Sequence, residues 1–537
     1  MRRAGVTASL LMLVAFWPGA AGAVPLRAKA AGTARSTARP GVRELMALRT
    51  HRFALIQAAR GARVPGGTLV SRRLGIWRLP SSEATRIGLQ LSARGIARVI
   101  EPDRGFVPQR AAADPLVGLE WWRAAVGADR VVPPPAAGKP VTVIDTGLDV
   151  SHPEFAGRAD TTLLNAQSTA GGGDEEHGTA VSSVIAAPDN GVGVLGIYPQ
   201  AALQEWDSGP LFVSDVIQGI EHAIDSGPGV INMSFGFDGY DPLLADEIDL
   251  AFGTGSLLVA AAGNDFLEGN AEHSPASLHH VLTIAATNEQ NRSSFFSNRS
   301  LAVDLSAPGE NIPVAVPTWA DASGYAAADG TSFSSPLVAG AAAWVWTRRP
   351  ELDVTQLFDL MRWSADDIAA KGFDEDTGYG LLDVPAALSE APPPVDPHEP
   401  NEDIYELTAG KLFDKSDAPL TSPGHGRVSF EARLDVTEDP EDVYRVWVPA
   451  HRRVLVKVVP TGDVDIELWN ASTPSVLITG AARRRHLIDG SGHDGRATER
   501  ASARNRTGRG AYVFLDVYLP EHGATAAGYR AVVSTTR

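Results

Sequence analysis

The chain of 537 residues contains no cysteine. That absence removes disulfides, thiol nucleophiles and thiolate metal sites at once. Long apolar runs are almost missing as well. The one candidate, residues 6–16, is too short to cross a bilayer. No His-Glu-x-x-His is present, so nothing supports a metalloprotease helix. Gly-x-Ser-x-Gly is also absent, which weakens an esterase reading. Acidic residues are scarce in the head: residues 1–110 carry 19 Lys+Arg against 4 Asp+Glu, a net of +15. The whole chain has 47 against 64, so the remainder has 28 against 60, a net of −32. Either the basic head docks on the acidic body, or its arginines only keep it soluble; the charge pattern leaves both open. An acidic body argues against a nucleic-acid partner.

What is present points to several domains, because 537 residues exceed a single core. Residues 1–23 read as a signal peptide: Arg2 and Arg3, a short apolar run, then Ala21-Gly22-Ala23. Export and a chain without a membrane span are the expectation. Residues 24–50 are rich in Ala, Arg and Thr. A β…β-α-β pattern follows, with strands at 53–57, 75–79 and 97–101 and a helix at 83–94 that Ser81 and Ser82 can cap. It predicts a small α+β domain of split βαβ type. Residues 115–390 alternate strands (141–144, 230–233, 257–261, 281–285) with helices (177–187, 213–226, 241–253, 332–348). That alternation predicts an α/β fold: a parallel sheet with helices on both faces. A Pro-rich linker spans 391–397. Beyond it, short alternating runs at 443–448, 454–459, 465–469 and 512–518 predict a β-sandwich, with a long loop inside 471–510.

The chemistry centres on Gly330-Thr-Ser332-Phe-Ser-Ser-Pro336, which runs into small residues. Ser332 is expected at a helix N-terminus, where free N–H groups and the helix dipole favour negative charge, with Pro336 tolerated in the first turn. A serine needs a base and an orienter. Val141-Thr-Val-Ile-Asp145-Thr-Gly147 ends a buried strand on a carboxylate. Glu176-His177-Gly178-Thr179 opens a helix with an imidazole. Alone, each reads as a turn Asp or a capping His. Together, Asp145, His177 and Ser332 form the set required for acyl transfer. Asn264, after Leu258-Val-Ala-Ala-Ala-Gly263, could donate to an oxyanion beside the Ser332 N–H.

These motifs, in the order Asp…His…Ser, resemble the subtilisin-like serine peptidases (subtilases). Further matching stretches are Asn190-Gly-Val-Gly-Val-Leu-Gly, Val230-Ile-Asn-Met-Ser-Phe-Gly236, Ser294-Phe-Phe-Ser-Asn298, Ala307-Pro-Gly309 and Gly378-Tyr-Gly380. The resemblance covers about 115–388. It implies Asp145 as orienter, His177 as base, Ser332 as nucleophile and Asn264 as oxyanion donor. It implies substrate pairing along Ser234, Phe235 and Gly236, and a specificity-pocket wall from Ala260, Ala261, Ala262 and Gly263. Departures are Ala180 for the usual second His, Glu176 before His177, and Phe333 where Met is common. Glu176 can raise the imidazole pKa. The head is similar to a subtilase propeptide, so 24–112 is read as an inhibitor released by self-cleavage between Pro108 and Pro115. The tail, 398–537, resembles the bacterial pre-peptidase C-terminal domain on Asp396-Pro-His-Glu399-Pro-Asn401, Glu438-Asp-Pro-Glu-Asp442-Val-Tyr444 and Asp463-Val-Asp-Ile-Glu-Leu-Trp469. No cofactor is needed for the chemistry, and no metal ligands are assigned. Calcium enters as a structural ion only through resemblance, at the Asp189-Asn190 loop or the acidic tail clusters; the tail clusters read first as solvated turns. His152 is expected to be structural, and His222, His279 and His280 to be surface or helix residues. Asp238 and Asp241 could attract basic substrate side chains, while the Ala/Gly pocket equally suits apolar ones. The expected protein is a secreted, monomeric endopeptidase of polypeptides, 113–390 being catalytic. The competing reading is an inactive binding protein of the same fold.

Overall fold

The computed structural model describes residues 52–59, 61–103, 114–166, 175–520 and 525–536. The expected signal peptide, the segment 24–50 and most of the expected self-cleavage region lie outside them. The chain forms two compact units, one of them within 17–110 and the other holding 111–537.

The N-terminal unit is a four-stranded sheet: β1 (Phe53–Ala58), β2 (Thr68–Ser71), β3 (Ile76–Pro80) and β4 (Ala97–Pro102), in the order β2-β3-β1-β4. β1 is antiparallel to both β3 and β4. Those two therefore run parallel, flanking β1 and joined by helix α1 (Ser81–Ala93). This is the split βαβ arrangement; β2 went unforeseen. Ile56, Leu79, Ile87 and Ile100 form its core. Ser81 and Ser82 do not cap the helix. Pro80 is the extended residue before it, so both serines already lie inside the first turn.

The larger unit begins with strands β5 (Val141–Asp145), β6 (Thr161–Leu163), β7 (Leu203–Asp207), β8 (Val230–Met233), the short β9 (Phe237–Asp238), β10 (Leu257–Ala261), the short β11 (His273–Ser274), β12 (Val281–Thr287), β13 (Leu305–Pro308), β14 (Ile312–Ala315) and β15 (Tyr325–Ala328). Seven of them form one parallel sheet, ordered β13-β12-β10-β8-β5-β7-β6. Every residue of β5, β8, β10 and β12 is buried. Successive side chains point to opposite faces, so both faces are covered. The covers are α2 (Glu176–Ala186), α3 (Val213–Asp225), α4 (Pro242–Gly253), α5 (Thr331–Arg348) and α6 (Val354–Trp363). Asp241, weighed as one of two acids that could attract basic substrate side chains, caps α4 by accepting from the amides of Leu243 and Leu244.

Helix α5 is buried from Thr331 through Trp346 except at Ser332. Its Ala and Gly residues permit that depth: a Cβ on Gly340 would strike Ile197. Pro336 lies in the second turn rather than the first. Its missing N–H would have bonded the carbonyl of Ser332. That carbonyl accepts from the Ser234 hydroxyl instead, at 2.9 Å.

After the linker come β16 (Arg427–Asp435), β17 (Glu441–Val448), β18 (Arg453–Pro460), β19 (Asp465–Asn470), β20 (Leu487–Ser491), β21 (Glu499–Arg504), β22 (Ala511–Tyr518) and β23 (Ala526–Thr536). They make two four-stranded sheets, β16-β23-β18-β21 and β17-β22-β19-β20, over one apolar core. The expected long loop inside 471–510 instead holds a short helix (Gly480–His486), β20 and β21. β21 alternates inward Ala501 and Ala503 with polar residues, so its apolar signal is too small to read.

The sandwich meets the parallel-sheet part over charged, buried side chains. Arg362, 3 % exposed, reaches Asp304 at 3.0 Å, Asp359 at 3.3 Å and Asp435 of the sandwich at 3.5 Å. His280, expected at the surface, is 5 % exposed; it stacks on Phe252 and faces Glu402 at 2.6 Å. The tail supplies the acid that draws it inward. His222 stays exposed on α3.

Candidate active site

Three of the buried parallel strands end side by side: β5 at Asp145, β8 just before Ser234 and β10 just before Ala262. Sites in such folds form at this carboxyl edge of the sheet. Asp145 is fully buried, and its Oδ1 also accepts from the Thr146 N–H at 2.7 Å. His177 is the second residue of α2, and its Nδ1 lies 2.8 Å from Asp145 Oδ1 and 3.0 Å from Oδ2. Gly178 is what allows this approach, because any Cβ there would collide with the carbonyl of Gly147. The Thr146 hydroxyl accepts from the Gly178 N–H at 3.2 Å and the Thr179 hydroxyl from the Asp149 N–H at 2.9 Å, tying helix to strand loop.

Burial opposes charging of the His177 ring. The Asp145 carboxylate, its hydrogen bond and the nearby Glu176 outweigh that, so the imidazole sits above its ordinary value. One nitrogen is thus held, leaving Nε2 to exchange protons.

Ser332 is the second residue of α5. Two residues before it stands Gly330, whose φ of 149° suits only a residue without a side chain. Its hydroxyl donates to the carbonyl of Ser234 at 3.0 Å. The ring of His177 packs near Phe333, with centroids 6.0 Å apart. Asn264 Oδ1 accepts from the Thr331 N–H at 2.9 Å and the Thr331 hydroxyl at 3.0 Å. Its NH2 group is thereby turned away, close to Gly330. Of the first-turn N–H groups of α5, that of Thr331 goes to Asn264 and that of Phe333 to the Gly330 carbonyl, while that of Ser332 has no helical partner four residues back.

Ser234, expected to pair with substrate through its backbone, also has a side-chain part. Its Oγ accepts from Asn232 Nδ2 at 3.0 Å and donates to the Ser332 carbonyl. It braces the nucleophile turn. Phe235 is half-buried and Gly236 is exposed. Ala260, Ala261 and Ala262 are buried and Gly263 is partly exposed. Both stretches converge on a residue the sequence did not single out, His273. A Cβ on Gly236 would lie 3.2 Å from His273 Nδ1, and one on Gly263 2.8 Å from it. The ring is 8 % exposed, and its Nε2 faces Asp238 at 3.1 Å and Asp265 at 3.3 Å. Nothing local distinguishes His273; only its place between two glycine walls does.

His152 is structural, as expected. It is buried, with Nε2 2.9 Å from the Gly324 carbonyl and Nδ1 accepting from the Glu154 N–H. The Asp189-Asn190 loop, a calcium candidate by resemblance, is closed by hydrogen bonds. Asp114 Oδ1 accepts from the amides of Asn190, Gly191 and Val192, and Glu154 accepts from Asn190 Nδ2, Val194 N–H and the Tyr325 hydroxyl. Asp114 Oδ2 is buried without a donor.

Comparison with known proteins agrees with the geometry. Residues 137–380 match the subtilase family, peptidase S8. The chain is 34% identical over 253 residues to a subtilisin of Bacillus pumilus, covering 46% of this chain and 90% of that protein. It is 34% identical over 253 residues to subtilisin E of Bacillus subtilis, covering 65% of it. It is also 34% identical over 291 residues to a Deinococcus radiodurans protein named "Probable subtilase-type serine protease", of whose length the chain spans 39%. On the match to nine-tenths of a whole subtilisin, and on the family match across the parallel-sheet part, the chain belongs to the subtilase family.

Proposed function

We propose that the protein is a secreted serine endopeptidase that cleaves polypeptides through an acyl-enzyme on Ser332 and is made as a self-inhibited precursor. The observation that carries this is the pairing of His177 Nδ1 with the buried Asp145 at 2.8 Å, beside the strand end that holds Ser332. In the reaction, the Ser332 hydroxyl rotates from the Ser234 carbonyl toward His177 Nε2. Its proton passes to that nitrogen as Oγ attacks the peptide carbonyl. Asp145 stabilises the resulting imidazolium without taking the proton. The oxyanion is met by the Asn264 NH2 and the Ser332 N–H. His177 then protonates the leaving amine, and the C–N bond breaks. Water, deprotonated by the same imidazole, releases the acyl group. No cofactor takes part.

Substrate backbone would pair along 234–236, which carries no strand partner of its own among the described residues. No helix among the described residues is long and apolar enough to cross a membrane. Export rests on residues 1–23, and self-inhibition on the split βαβ unit that precedes the parallel-sheet part.

A serine-directed fluorophosphonate tests the chemistry. It should label wild-type protein at Ser332 and fail on Ser332→Ala and His177→Ala. An unlabelled, folded wild-type chain would leave a binding protein of the same fold as the answer. Processing has its own test: Ser332→Ala should keep the N-terminal unit attached. A mature N-terminus in that variant, expressed alone, would refute self-cleavage.

A further inference from the structure

Acidic as the chain is, one face of its sandwich is basic. In the sheet β16-β23-β18-β21, alternate side chains such as Val454, Val456, Val458 and Ala503 turn into the core. The other side of β18 presents Arg453, Leu455, Lys457 and Val459, all exposed. The register carries this face across the sheet. Arg504 and Arg500 of β21 stand opposite Arg453 and Lys457. Arg530 of β23 stands opposite Val459, and Ser534 opposite Leu455. Arg427 of β16 pairs in turn with Ser534. Six exposed cations therefore share the face with one exposed acid, Glu431.

Such neighbours stand about 5 Å apart across strands and about 7 Å apart along one. Cations so spaced repel one another, and nothing local offsets them. None of the six makes an ion pair among the described residues, whose Arg ion pairs all fall elsewhere. Arg530 donates to the Ser429 hydroxyl at 3.3 Å rather than to Glu431, its partner in register. The turn after β21 adds Arg506 and Arg509, both exposed. Solubility does not call for these cations, because the formal net charge of −17 already keeps copies apart.

A face of this kind suits an anionic partner, and its apolar members say which. Leu455 is 40 % exposed and Val459 41 % exposed, on the same central strand as Arg453 and Lys457. A polyanion in water gives those two side chains nothing. A lipid interface takes them out of water while the charged heads meet headgroup phosphates. Among the described residues of these strands no aromatic side chain points to this side, so the stacking platform that single-stranded nucleic acid uses is missing.

We propose that the outer face of the β16-β23-β18-β21 sheet docks the protein on an anionic phospholipid surface, reversibly and without entering the bilayer core. Each Lys or Arg held near such a surface strengthens binding by about fivefold.

The test uses the full chain carrying Ser332→Ala, so that autolysis does not intervene. It is sedimented with vesicles of equal parts phosphatidylglycerol and phosphatidylcholine, and with vesicles of phosphatidylcholine alone. The expected result is binding to the first and not to the second, lost at about 1 M salt, where the screening length falls to about 3 Å. Arg453→Gln combined with Lys457→Gln should weaken binding by about 25-fold without moving the melting temperature. Arg500→Gln combined with Arg504→Gln should do the same, and decides the matter if the first pair fails to fold. The basic N-terminal unit is present in parent and variants alike, so their difference reports the face. Leu455→Ser should weaken vesicle binding by about tenfold. Equal sedimentation with both vesicles overturns the proposal, as does a folded glutamine pair that binds like the parent. Leu455→Ser binding as tightly as the parent also overturns it, and leaves a soluble polyanion as the partner that fits.

Discussion

Asn264 holds Thr331 with its side-chain oxygen, at 2.9 Å from the amide and 3.0 Å from the hydroxyl. Its oxygen fixes the turn before Ser332, and its NH2 is the donor we propose for the oxyanion. Asn264→Asp keeps an oxygen for Thr331 and removes the donor. It should lower kcat by about 10²–10³ with little change in KM. Steady-state kinetics on a peptide substrate checks this. Near-normal turnover in Asn264→Asp would mean that the side chain only braces the turn.

Activity should depend on pH through His177. The base must be neutral to accept the Ser332 proton, and its pKa lies above the ordinary 6.5. The acid limb of kcat/KM should therefore fall above pH 6.5, with activity rising as pH increases through it. Glu176→Gln removes one of the charges that favour the imidazolium. It should move the limb to lower pH by less than about one unit. A limb that stays put would assign the shift to Asp145 alone. The same raised pKa acts oppositely on stability: its contribution is complete below the ordinary imidazole value and is lost as pH rises through the folded one.

His273 should limit the size of the substrate side chain on the acyl side of the scissile bond. The imidazole lies where the Gly236 and Gly263 walls meet. His273→Ala should raise kcat/KM for large apolar side chains relative to small ones by about tenfold or more, as removed bulk in a pocket commonly does. A peptide library profiled before and after the change reads this directly. An unchanged ranking would place His273 outside the pocket.

Arg362 should be costly to remove. It is 3 % exposed and serves three carboxylates, two from the parallel-sheet part and one from the sandwich. Arg362→Ala leaves them buried and unpaired, and should cost about 3–5 kcal/mol. Denaturant unfolding of the Ser332→Ala background measures it. A loss below about 1 kcal/mol would show that water reaches the seam.

Much of the fold was legible because local patterns repeat it. Val230–Met233 and Leu257–Ala261 begin and end as the apolar runs predict, since strands buried on both faces need continuous apolar residues. Helix α3 came within one residue of its expected end. The edge strands β6 and β13 carried no such run. β21 hid its pattern in alanines, because a shallow position in the sandwich needs little bulk. Ser81 failed as a cap because helix boundaries depend on where the preceding strand stops.

The sequence by itself singled out the candidate chemical groups and the strands and helices whose apolar runs are continuous. Asp145, His177, Ser332 and Asn264 sit in short motifs whose local backbone demands, a glycine two positions before the serine and a glycine after the histidine, are written beside them. Only the tertiary structure decided what meets what. Pro336 gives up a hydrogen bond that Ser234 restores from 98 residues away. His273 lies between Gly236 and Gly263, and four acids that read as solvated turns, Asp396, Glu399, Glu438 and Asp439, line one cavity in the seam. Burial and pairing belong to the packed chain, because a side chain's dielectric and partners come from elements far from it in sequence.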